Sequence, residues 1–552
     1  METVNLIIKK LSALALTMLL AFGSANAQMP TDSIVADFNE FVRLLEETHP
    51  DPYTNFGGKP FFRRAAMEVR LGLVQDSVTS TDELANRINE FLAPLEDGHT
   101  SIQQFNFGSQ DEEVSKRAPI GFWAIGDGVI VENIMSDYKE LIGSRLVGIE
   151  GVPFKTICNE LAKRFTAENE IGRITNFMFI SGFRFNEVMK TIPNVREDSI
   201  TFQLLTPEGK PIDLTLPLVK PFSNESVDET WGEHTEPIPN KGNLSYQFVD
   251  DQKQTMYFRS SQIMARDALE YMHNNGMDMG PYLGRLYGMF NNDEMPEDVN
   301  EALAKIPSFS GEFEKMLLEM KKNKSKNLII DLSGNSGGFT PIVLPTMYQM
   351  WGDKFIKEVS RFGIQFATNI SPLYLKKMNT SIERLNAQMG STELMTGDYF
   401  FTSEDTDIPD EITDEVRNQF ISGLMSSVKD RLLAQKGKPV YTPEHVYVLT
   451  NPTTFSAAFH YAFYLWKMGA TVAGLPSKQA PNTYMEATPF ELPRTGLTGY
   501  ISNSLQLFLP TDDPRAKEFT PDLMPTYEDY KHYNFDTSTE LRYLLDYIKG
   551  KK

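Results

Sequence analysis

The stretch His445–Trp466, HVYVLTNPTTFSAAFHYAFYLW, decides the fold class of this chain. It begins with a short apolar run, Val446–Leu449, which is typical of a buried strand. Asn451 and Pro452 end that run, and Ser456 then opens a series of apolar residues at helical spacing. A strand, a turn and a helix in this order indicate an α/β unit with Ser456 at the turn.

A serine at such a turn has two interpretations. As a helix N-cap, its side chain would accept a hydrogen bond from the first turn of the helix. As a nucleophile, it would present Oγ to a carbonyl carbon beside free main-chain N–H groups and a helix dipole. The segment alone favours the N-cap, so the rest of the chain must decide the role of Ser456.

The length and composition describe a soluble, multidomain protein. The chain has 552 residues, which predicts roughly two to four domains. Its 41% hydrophobic and 23% charged content is that of a globular protein. The net charge of −21 excludes nucleic acid as an expected partner and disfavours an anionic membrane surface.

Residues 1–27 have the pattern of a secretory signal peptide. Lys9 and Lys10 precede the apolar run Leu11–Phe22, and small residues surround a cleavage position after Ala27. A membrane anchor is the alternative, but this run is too short to span a bilayer. We therefore expect an exported protein, periplasmic or secreted, with no stable membrane span in the mature chain.

Cysteine and histidine patterns point to no metal or redox chemistry. Cys158 is the chain's one cysteine, so no intramolecular disulfide forms, and its helical spacing predicts a small buried hydrophobe. The seven histidines are scattered, and neither HExxH nor CxxC occurs. We expect no cofactor and no metal.

The first half of the chain divides into two regions. Residues 28–105 predict helices that end in the sequence DGHT at 97–100. Residues 106–222 predict short strands around one or two helices near Lys155–Phe165, the pattern of a PDZ-like α+β module. Such a module would bind an extended peptide at a sheet edge.

Residues 223–552 predict an α/β core with two polar helical insertions, at about 263–325 and 373–435. The core contains the sequence DLSGNSGG at 331–338, in which glycines let main-chain N–H groups approach a ligand closely. The tail, from LPRTG at 492–496 to TPD at 520–522, predicts loops.

His99 is a candidate general base, since histidine titrates near neutral pH and the adjacent Asp97 could orient it. A lone histidine in a turn is far more often a surface residue. Ser456, the glycine turn and His99 are therefore each weak evidence when taken separately.

Taken in order, these segments resemble the tail-specific (C-terminal processing) and tricorn-type serine peptidases. DLSGNSGG followed by TFSAA is the specific part, and DGHT, the PDZ-like module and the tail motifs extend the resemblance over most of the mature chain. The resemblance implies a core of crotonase-like or ClpP-like β-α units. It also implies an exported serine endopeptidase that cleaves unfolded or C-terminal segments through an acyl-enzyme.

The resemblance also implies roles for residues. Ser456 would be the nucleophile, and DGHT together with the early HPDPY points to the tricorn-like branch, in which His99 would be the base. Glu518 would be the third catalytic member, although its spacing from Pro521 and Asp522 departs from the family pattern.

The oxyanion hole is implied at Gly337 or Gly338 and at Ala457, and turn-to-helix junctions independently predict free N–H groups there. Lys478 is the alternative base, as in the family's Ser–Lys dyad, but its neighbours do not match that motif. His460 shares a helix face with Ser456 and is assigned to packing.

Two other functions remain open. A catalytically inactive relative could bind peptides or another ligand, with the helical insertions covering the cleft. The same constellation could also cleave esters. The sequence predicts a peptide or protein substrate and leaves the oligomeric state undetermined.

Overall fold

The protein is described by a computed structural model. The described residues are 29–102, 116–193, 195–219, 229–231, 243–277, 279–403, 411–424 and 426–550. The predicted signal peptide at 1–27 lies outside them and stays a prediction. In the described ranges, no helix combines the length and hydropathy needed to cross a membrane.

The N-terminal region is helical, as predicted. Its helices are α1 (Thr31–Thr48), α2 (Lys59–Gln75) and α3 (Thr81–Leu92), followed by the short strand β1 (Ser101–Ile102). The N-cap of α3 is Ser80, whose Oγ accepts a hydrogen bond from the N–H of Glu83. The helices enclose one apolar cluster, and the DGHT turn lies between α3 and β1.

The middle region forms a separate core of strands and helices. It contains β2 (Ile120–Ile125), β3 (Gly128–Met135), β4 (Arg145–Ile149), β5 (Val152–Pro153), α4 (Phe154–Leu161), α5 (Glu170–Phe183), α6 (Phe185–Met189), β6 (Ser199–Leu205), β7 (Pro211–Pro217) and β8 (Glu229–Trp231). The strands form an antiparallel sheet in which β8 pairs with β3. The module therefore extends beyond the predicted boundary at 222, and its PDZ-like identity stays a prediction.

The catalytic core predicted from the sequence contains a five-stranded, mainly parallel sheet. In spatial order its strands are β15 (Thr471–Gly474), β14 (His445–Thr450), β11 (Asn327–Asp331), β10 (Thr255–Ser260) and the antiparallel edge strand β9 (Leu244–Phe248). Both faces of the sheet are buried, which explains the continuous apolar runs in β11 and β14.

Helices cover the two faces of this sheet. The first face packs against helices that include α7 (Arg266–Asn274), α8 (Gly280–Phe290), α9 (Val299–Ala304), α10 (Phe309–Asn323), α11 (Leu344–Trp351), α12 (Asp353–Val359) and α17 (Ala457–Lys467). The second face packs against the C-terminal helix α19 (Thr539–Ile548). The segment predicted as a helical insertion, 263–325, is helical, and its last helix, α10, forms a buried layer of the core.

A second antiparallel sheet connects the core with the N-terminal helices. Its strands are β1, β12 (Gln365–Asn369), β13 (Tyr399–Ser403), β16 (Asn482–Glu491) and β17 (Thr498–Leu507). The remaining α-helices of the described ranges are α13 (Pro372–Lys377), α14 (Ile382–Met389), α15 (Asp414–Gly423), α16 (Lys429–Ala434) and α18 (Tyr527–His532).

Two sequence predictions fail in this sheet. The segment at 373–435 is not purely helical, since β13 pairs with β12. The tail is not loops alone, because LPRTG forms the turn between β16 and β17, two strands of ten residues each. Alternation in these strands is hidden by Ser, Thr and Asn side chains on buried positions such as Ser502 and Ser504.

Candidate active site

The glycine turn and the Ser456 turn lie side by side because their strands are parallel neighbours. Asp331 at the end of β11 is in register with Leu449 near the end of β14. Beyond the strands, the Thr454 Oγ1 donates to the carbonyl of Leu332 at 2.9 Å. The two motifs that the sequence singled out are therefore joined by hydrogen bonds at the carboxyl edge of the sheet.

Ser456 is not an ordinary helix N-cap. Its backbone has φ 53° and ψ −125°, and its side chain makes no capping hydrogen bond to α17. N-cap residues normally adopt extended backbone angles, whereas a left-handed serine on a strand-to-helix turn is the geometry of a nucleophile elbow. The Ser456 N–H donates to Oε1 of Gln479, which holds the turn in place.

The glycine pair packs directly against this elbow. Gly337 has φ 101°, and a Cβ there would lie 2.7 Å from Cβ of Ser456 and 2.9 Å from the nitrogen of Ala457. Only glycine fits such a position. The Gly337 N–H is occupied by Oδ1 of Asn335 at 2.9 Å.

Two other N–H groups of this junction lack an acceptor among the described residues. Across the described ranges, no hydrogen bond is formed by the N–H of Gly338 or by that of Ala457. Gly338 has φ 145°, and a Cβ there would meet the carbonyl oxygen of Ile263 at 2.2 Å. Of the predicted pair, Gly338 is thus the glycine with a donor free for an oxyanion.

His99 lies beside the nucleophile turn. Its ring stacks on that of Phe455, the residue before Ser456, with centroids 4.6 Å apart. Both ring nitrogens are buried and form no well-aligned hydrogen bond among the described residues, although the main chain of Tyr484 lies near enough to favour the protonated ring. Burial lowers the pKa of His99, while the negative charges of Asp97 and Glu486 act to raise it. Because burial has the larger effect, the ring is neutral at neutral pH and can accept a proton.

Asp97 holds the turn that carries His99. Its Oδ1 accepts the N–H of His99 at 2.8 Å, and its Oδ2 accepts Nε2–H of His49 at 3.3 Å and the hydroxyl of Thr100. The His49 Nδ1 accepts the N–H of Asp51 at 3.1 Å, which places the ring proton on Nε2. Burial opposes ionisation of Asp97, but these donors keep its pKa at about 2.

Lys478 contacts the same aromatic ring as His99. Its Nζ lies 5.2 Å from the centroid of Phe455 and 6.0 Å from that of Phe179. Burial lowers the pKa of Lys478, and the nearby carboxyl of Glu168 counteracts that shift only when it is ionised. Both candidate bases therefore lie close to the nucleophile turn, and neither side chain forms a hydrogen bond with Ser456 Oγ.

Glu518 and His460 lie at the margins of the site. The Glu518 carboxylate accepts the N–H of Ile171 at 3.2 Å, at the start of α5, and its catalytic role stays a prediction. His460 is 3% exposed, and its Nδ1 is 3.0 Å from the hydroxyl of Thr340. Burial lowers the pKa of His460 to about 4, which agrees with its assignment to packing.

A cavity of about 670 Å³ opens beside the site. Its wall includes Gly98 and Phe455 from the catalytic region and Phe165, Phe179 and Ile180 from the middle module. The cavity is thus mainly apolar and adjoins the stacked ring of His99. It has the size and the character of a site for side chains of a ligand.

Asp97, His99 and Glu168 place potential metal-ligand atoms within 4.8 Å of one another. The carboxylates in this cluster already accept main-chain N–H groups: Asp97 that of His99, and Glu168 those of Gly98 and Ala480. The hydrogen bonds account for the cluster as part of the site's framework.

Sequence reasoning missed three supporting residues: His49, Glu168 and Gln479. His49 belongs to the HPDPY segment, which had signalled the histidine branch without revealing that it orients Asp97. Glu168 and Gln479 carry no motif, because their partners are main-chain N–H groups far away in sequence.

The left-handed serine, the packed glycine turn and the adjacent histidine define a serine-type peptidase. Residues 301–477 match the model of peptidase family S41, which supports the serine-type peptidase class for this part of the chain. The matched segment includes the glycine turn and Ser456, whereas His99 and Glu518 lie outside it.

The solved structures most similar to this chain include two of mature CPAF. Mature CPAF is 14% identical over 94% of this chain and 98% of its own, with a TM-score of 0.51. Its complex with lactacystin is 14% identical over 94% and 99%, with a TM-score of 0.50. These likenesses concern the fold alone.

The photosystem II D1 C-terminal processing protease is 12% identical over 90% of this chain and 94% of its own, with a TM-score of 0.36. No curated protein sequence matches the chain.

Proposed function

We propose that the protein is an exported serine endopeptidase in which Ser456 is the nucleophile and His99 is the general base. The substrate is an unfolded or C-terminal segment of a protein, bound as an extended peptide. The observation that carries the proposal is the conformation of Ser456, because a left-handed serine without a cap bond has its Oγ free for attack.

The reaction follows from the positions of the donors. Ser456 Oγ attacks the scissile carbonyl carbon and passes its proton to His99, and the carbonyl oxygen becomes an oxyanion held by the N–H groups of Gly338 and Ala457. Protonated His99 then gives its proton to the leaving amine as the C–N bond breaks. Water, deprotonated by His99, hydrolyses the acyl-enzyme and releases Ser456.

The environment of His99 supports its role as base. Burial keeps the ring neutral, while Asp97 and Glu486 favour the imidazolium that forms during attack. The ring nitrogens form no well-aligned hydrogen bond without substrate, and catalytic hydrogen bonds commonly tighten only when substrate binds.

The apolar cavity supports a peptide substrate. It lies between the nucleophile turn and α5, so a peptide crossing Ser456 would place apolar side chains against Phe455 and Phe179. Burial of one such side chain contributes roughly 1.5–3 kcal/mol of binding free energy. The middle module would then hold the peptide outside the site by edge-strand pairing.

Labelling by a fluorophosphonate tests the proposal. The wild type should be labelled, whereas Ser456→Ala and His99→Ala should not, and Lys478→Ala should retain labelling. A wild type that resists the probe while circular dichroism shows it to be folded would count against catalysis and favour a peptide-binding relative.

The Ser–Lys dyad is the second candidate mechanism, and the lowered pKa of buried Lys478 is the observation that favours it. In that mechanism Lys478→Ala would abolish labelling and His99→Ala would not. The same pair of variants therefore separates the two bases.

A further inference from the structure

Glu168 connects two loops of the site from the segment that precedes α5. The residue is 5% exposed. Its Oε1 accepts the N–H of Gly98 at 3.0 Å, and its Oε2 accepts the N–H of Ala480 at 2.8 Å. One buried carboxyl thus joins segments that are 70 and 312 residues away in sequence.

Each of the two loops carries one reacting group or its support. Gly98 directly precedes His99, the proposed base. Ala480 directly follows Gln479, whose Oε1 accepts the N–H of Ser456. A short chain of hydrogen bonds therefore runs from the turn of the base, through Glu168, to the turn of the nucleophile.

There is no space for a side chain at residue 98. A Cβ on Gly98 would lie 2.6 Å from Oε1 of Glu168 and 2.9 Å from Cζ of Phe455. The glycine of DGHT is therefore required by its neighbours, and the distance between the His99 turn and Glu168 is set by direct contact.

The charge state of Glu168 suits this position. Burial raises the pKa of Glu168 to about 8, and the charge of Asp97 adds to the shift against the hydrogen bonds from Ala480 and Gly98. The carboxyl is therefore mostly protonated at neutral pH. It retains acceptors for both N–H groups without adding a second negative charge beside Asp97.

We propose that Glu168 is a positioning residue of the peptidase, which fixes the separation of His99 and Ser456 through Gly98 and Ala480. The proposal rests on the proposed function, since a base and a nucleophile must be present to be positioned. Glu168 acts on the reacting groups through Gly98 and Ala480, and its side chain also forms part of the cavity wall. With a small fluorophosphonate whose substituent does not enter the cavity, its removal should slow the chemical step and leave binding of the probe unchanged.

The kinetics of fluorophosphonate labelling test this role, because the maximal labelling rate and the half-saturating probe concentration are measured separately. Displacing a catalytic group by about 1 Å costs on the order of 100-fold in rate. Glu168→Ala should therefore lower the maximal rate about 10- to 100-fold with the half-saturating concentration unchanged. Glu168→Gln keeps one acceptor oxygen and should recover part of that loss.

Gly98→Ala disturbs the same contact from the other side and should also lower the maximal rate. If Glu168→Ala does not fold, the maximal labelling rates of Gly98→Ala and Glu168→Gln decide the test instead. Circular dichroism and thermal melting identify the folded variants.

Asn169→Asp is the matched control. The Asn169 Nδ2 donates to the carbonyl of Ser477 at 3.0 Å, and its Oδ1 caps α5 through the N–H of Gly172. Aspartate keeps the cap but loses the donor, so it removes a neighbouring link to the same loop without touching Gly98. Its maximal labelling rate should stay near that of the wild type.

Two results would overturn the proposal while leaving the peptidase assignment intact: wild-type labelling kinetics in Glu168→Ala, or an equal loss in Asn169→Asp. The second would mean that general docking of α5, and not Glu168, governs the rate. An unlabelled wild type would instead refute the proposed function, and the positioning role with it.

Discussion

Replacing Asp97 by asparagine removes an acceptor from a cluster in which every partner is a donor. The N–H of His99 points to Oδ1, while Nε2–H of His49 and the hydroxyl of Thr100 point to Oδ2. Neither His49 nor Thr100 can become an acceptor for the new amide. His49 Nδ1 already accepts a main-chain N–H, and Thr100 Oγ1 already accepts the N–H of Ser502 at 2.9 Å. The amide of asparagine must therefore turn its NH₂ toward at least one donor.

One buried donor without an acceptor costs about 1–3 kcal/mol. Because each 1.4 kcal/mol is a factor of ten in an equilibrium constant, local opening of the DGHT turn should become roughly 5- to 150-fold more frequent. Hydrogen exchange of the His99 and Ser502 amides, followed by mass spectrometry, measures this opening. A Ser456→Ala background prevents self-cleavage during the measurement.

Asp51→Asn is the matched control, because a single oxygen, Oδ1, accepts the N–H groups of Tyr53 and Thr54 at 3.1 Å. An asparagine carbonyl can replace that oxygen, so exchange at the DGHT turn should stay unchanged. Equal exchange in Asp97→Asn and the wild type would refute the argument, since it would show that the three donors do not depend on a carboxylate.

The pH dependence follows from the same group. The pKa of Asp97 is lowered from 3.8 to about 2, a difference worth about 2 kcal/mol of stability. Since the folded-state pKa is depressed, this stabilisation is fully present above about pH 4 and is lost as the pH falls through about 2. Asp97→Asn should lack that part of the acid-dependent loss of stability.

Three further substitutions or modifications have expected outcomes. Gly337→Ala should abolish fluorophosphonate labelling, because its Cβ would lie 2.7 Å from Cβ of Ser456, and should destabilise the fold by about 1–3 kcal/mol in a urea titration. Gly363→Ala, at φ 70° with no atom within 4 Å of the new Cβ, is the control and should keep labelling. His460→Gln should leave the pH profile of labelling unchanged, because burial lowers the pKa of His460 to about 4 and the ring is neutral throughout; a shifted profile would contradict its assignment to packing. Burial raises the pKa of Cys158 to about 12, so iodoacetamide should modify it only after denaturation in urea, and rapid modification of the native protein would contradict its burial.

Local sequence patterns predicted the helices and strands whose buried side chains are apolar. The N-terminal region was predicted to be helical, because the cap and the apolar face of a helix such as α3 act within a few residues. The run in β14 was visible as a strand because both faces of the sheet are buried. The β16–β17 hairpin was missed because polar residues such as Ser502, Asn503 and Gln506 occupy buried positions, where hydrogen bonds replace apolar packing.

The site was predictable to the extent that its chemistry lies in the backbone. A glycine turn and a serine turn signal their function through residue types that few other structures require. The choice between Gly337 and Gly338 could not come from the sequence, since it depends on which N–H the side chain of Asn335 occupies. Likewise, the approach of Asp97 and Glu486 to His99 is a property of tertiary packing.

The DGHT turn shows how a short motif can indicate an active site without revealing what each of its residues contacts. Asp97 is required by three donors, two of them from His49 and Thr100; glycine at 98 is required by the approach of Glu168. Thr100 joins this turn to the N–H of Ser502 on β17. Each position is therefore fixed by a different segment of the chain. The imidazole of His99 is the side chain of this turn that no neighbour holds through a well-aligned hydrogen bond, and this supports the proposal that His99, rather than Lys478, is the base.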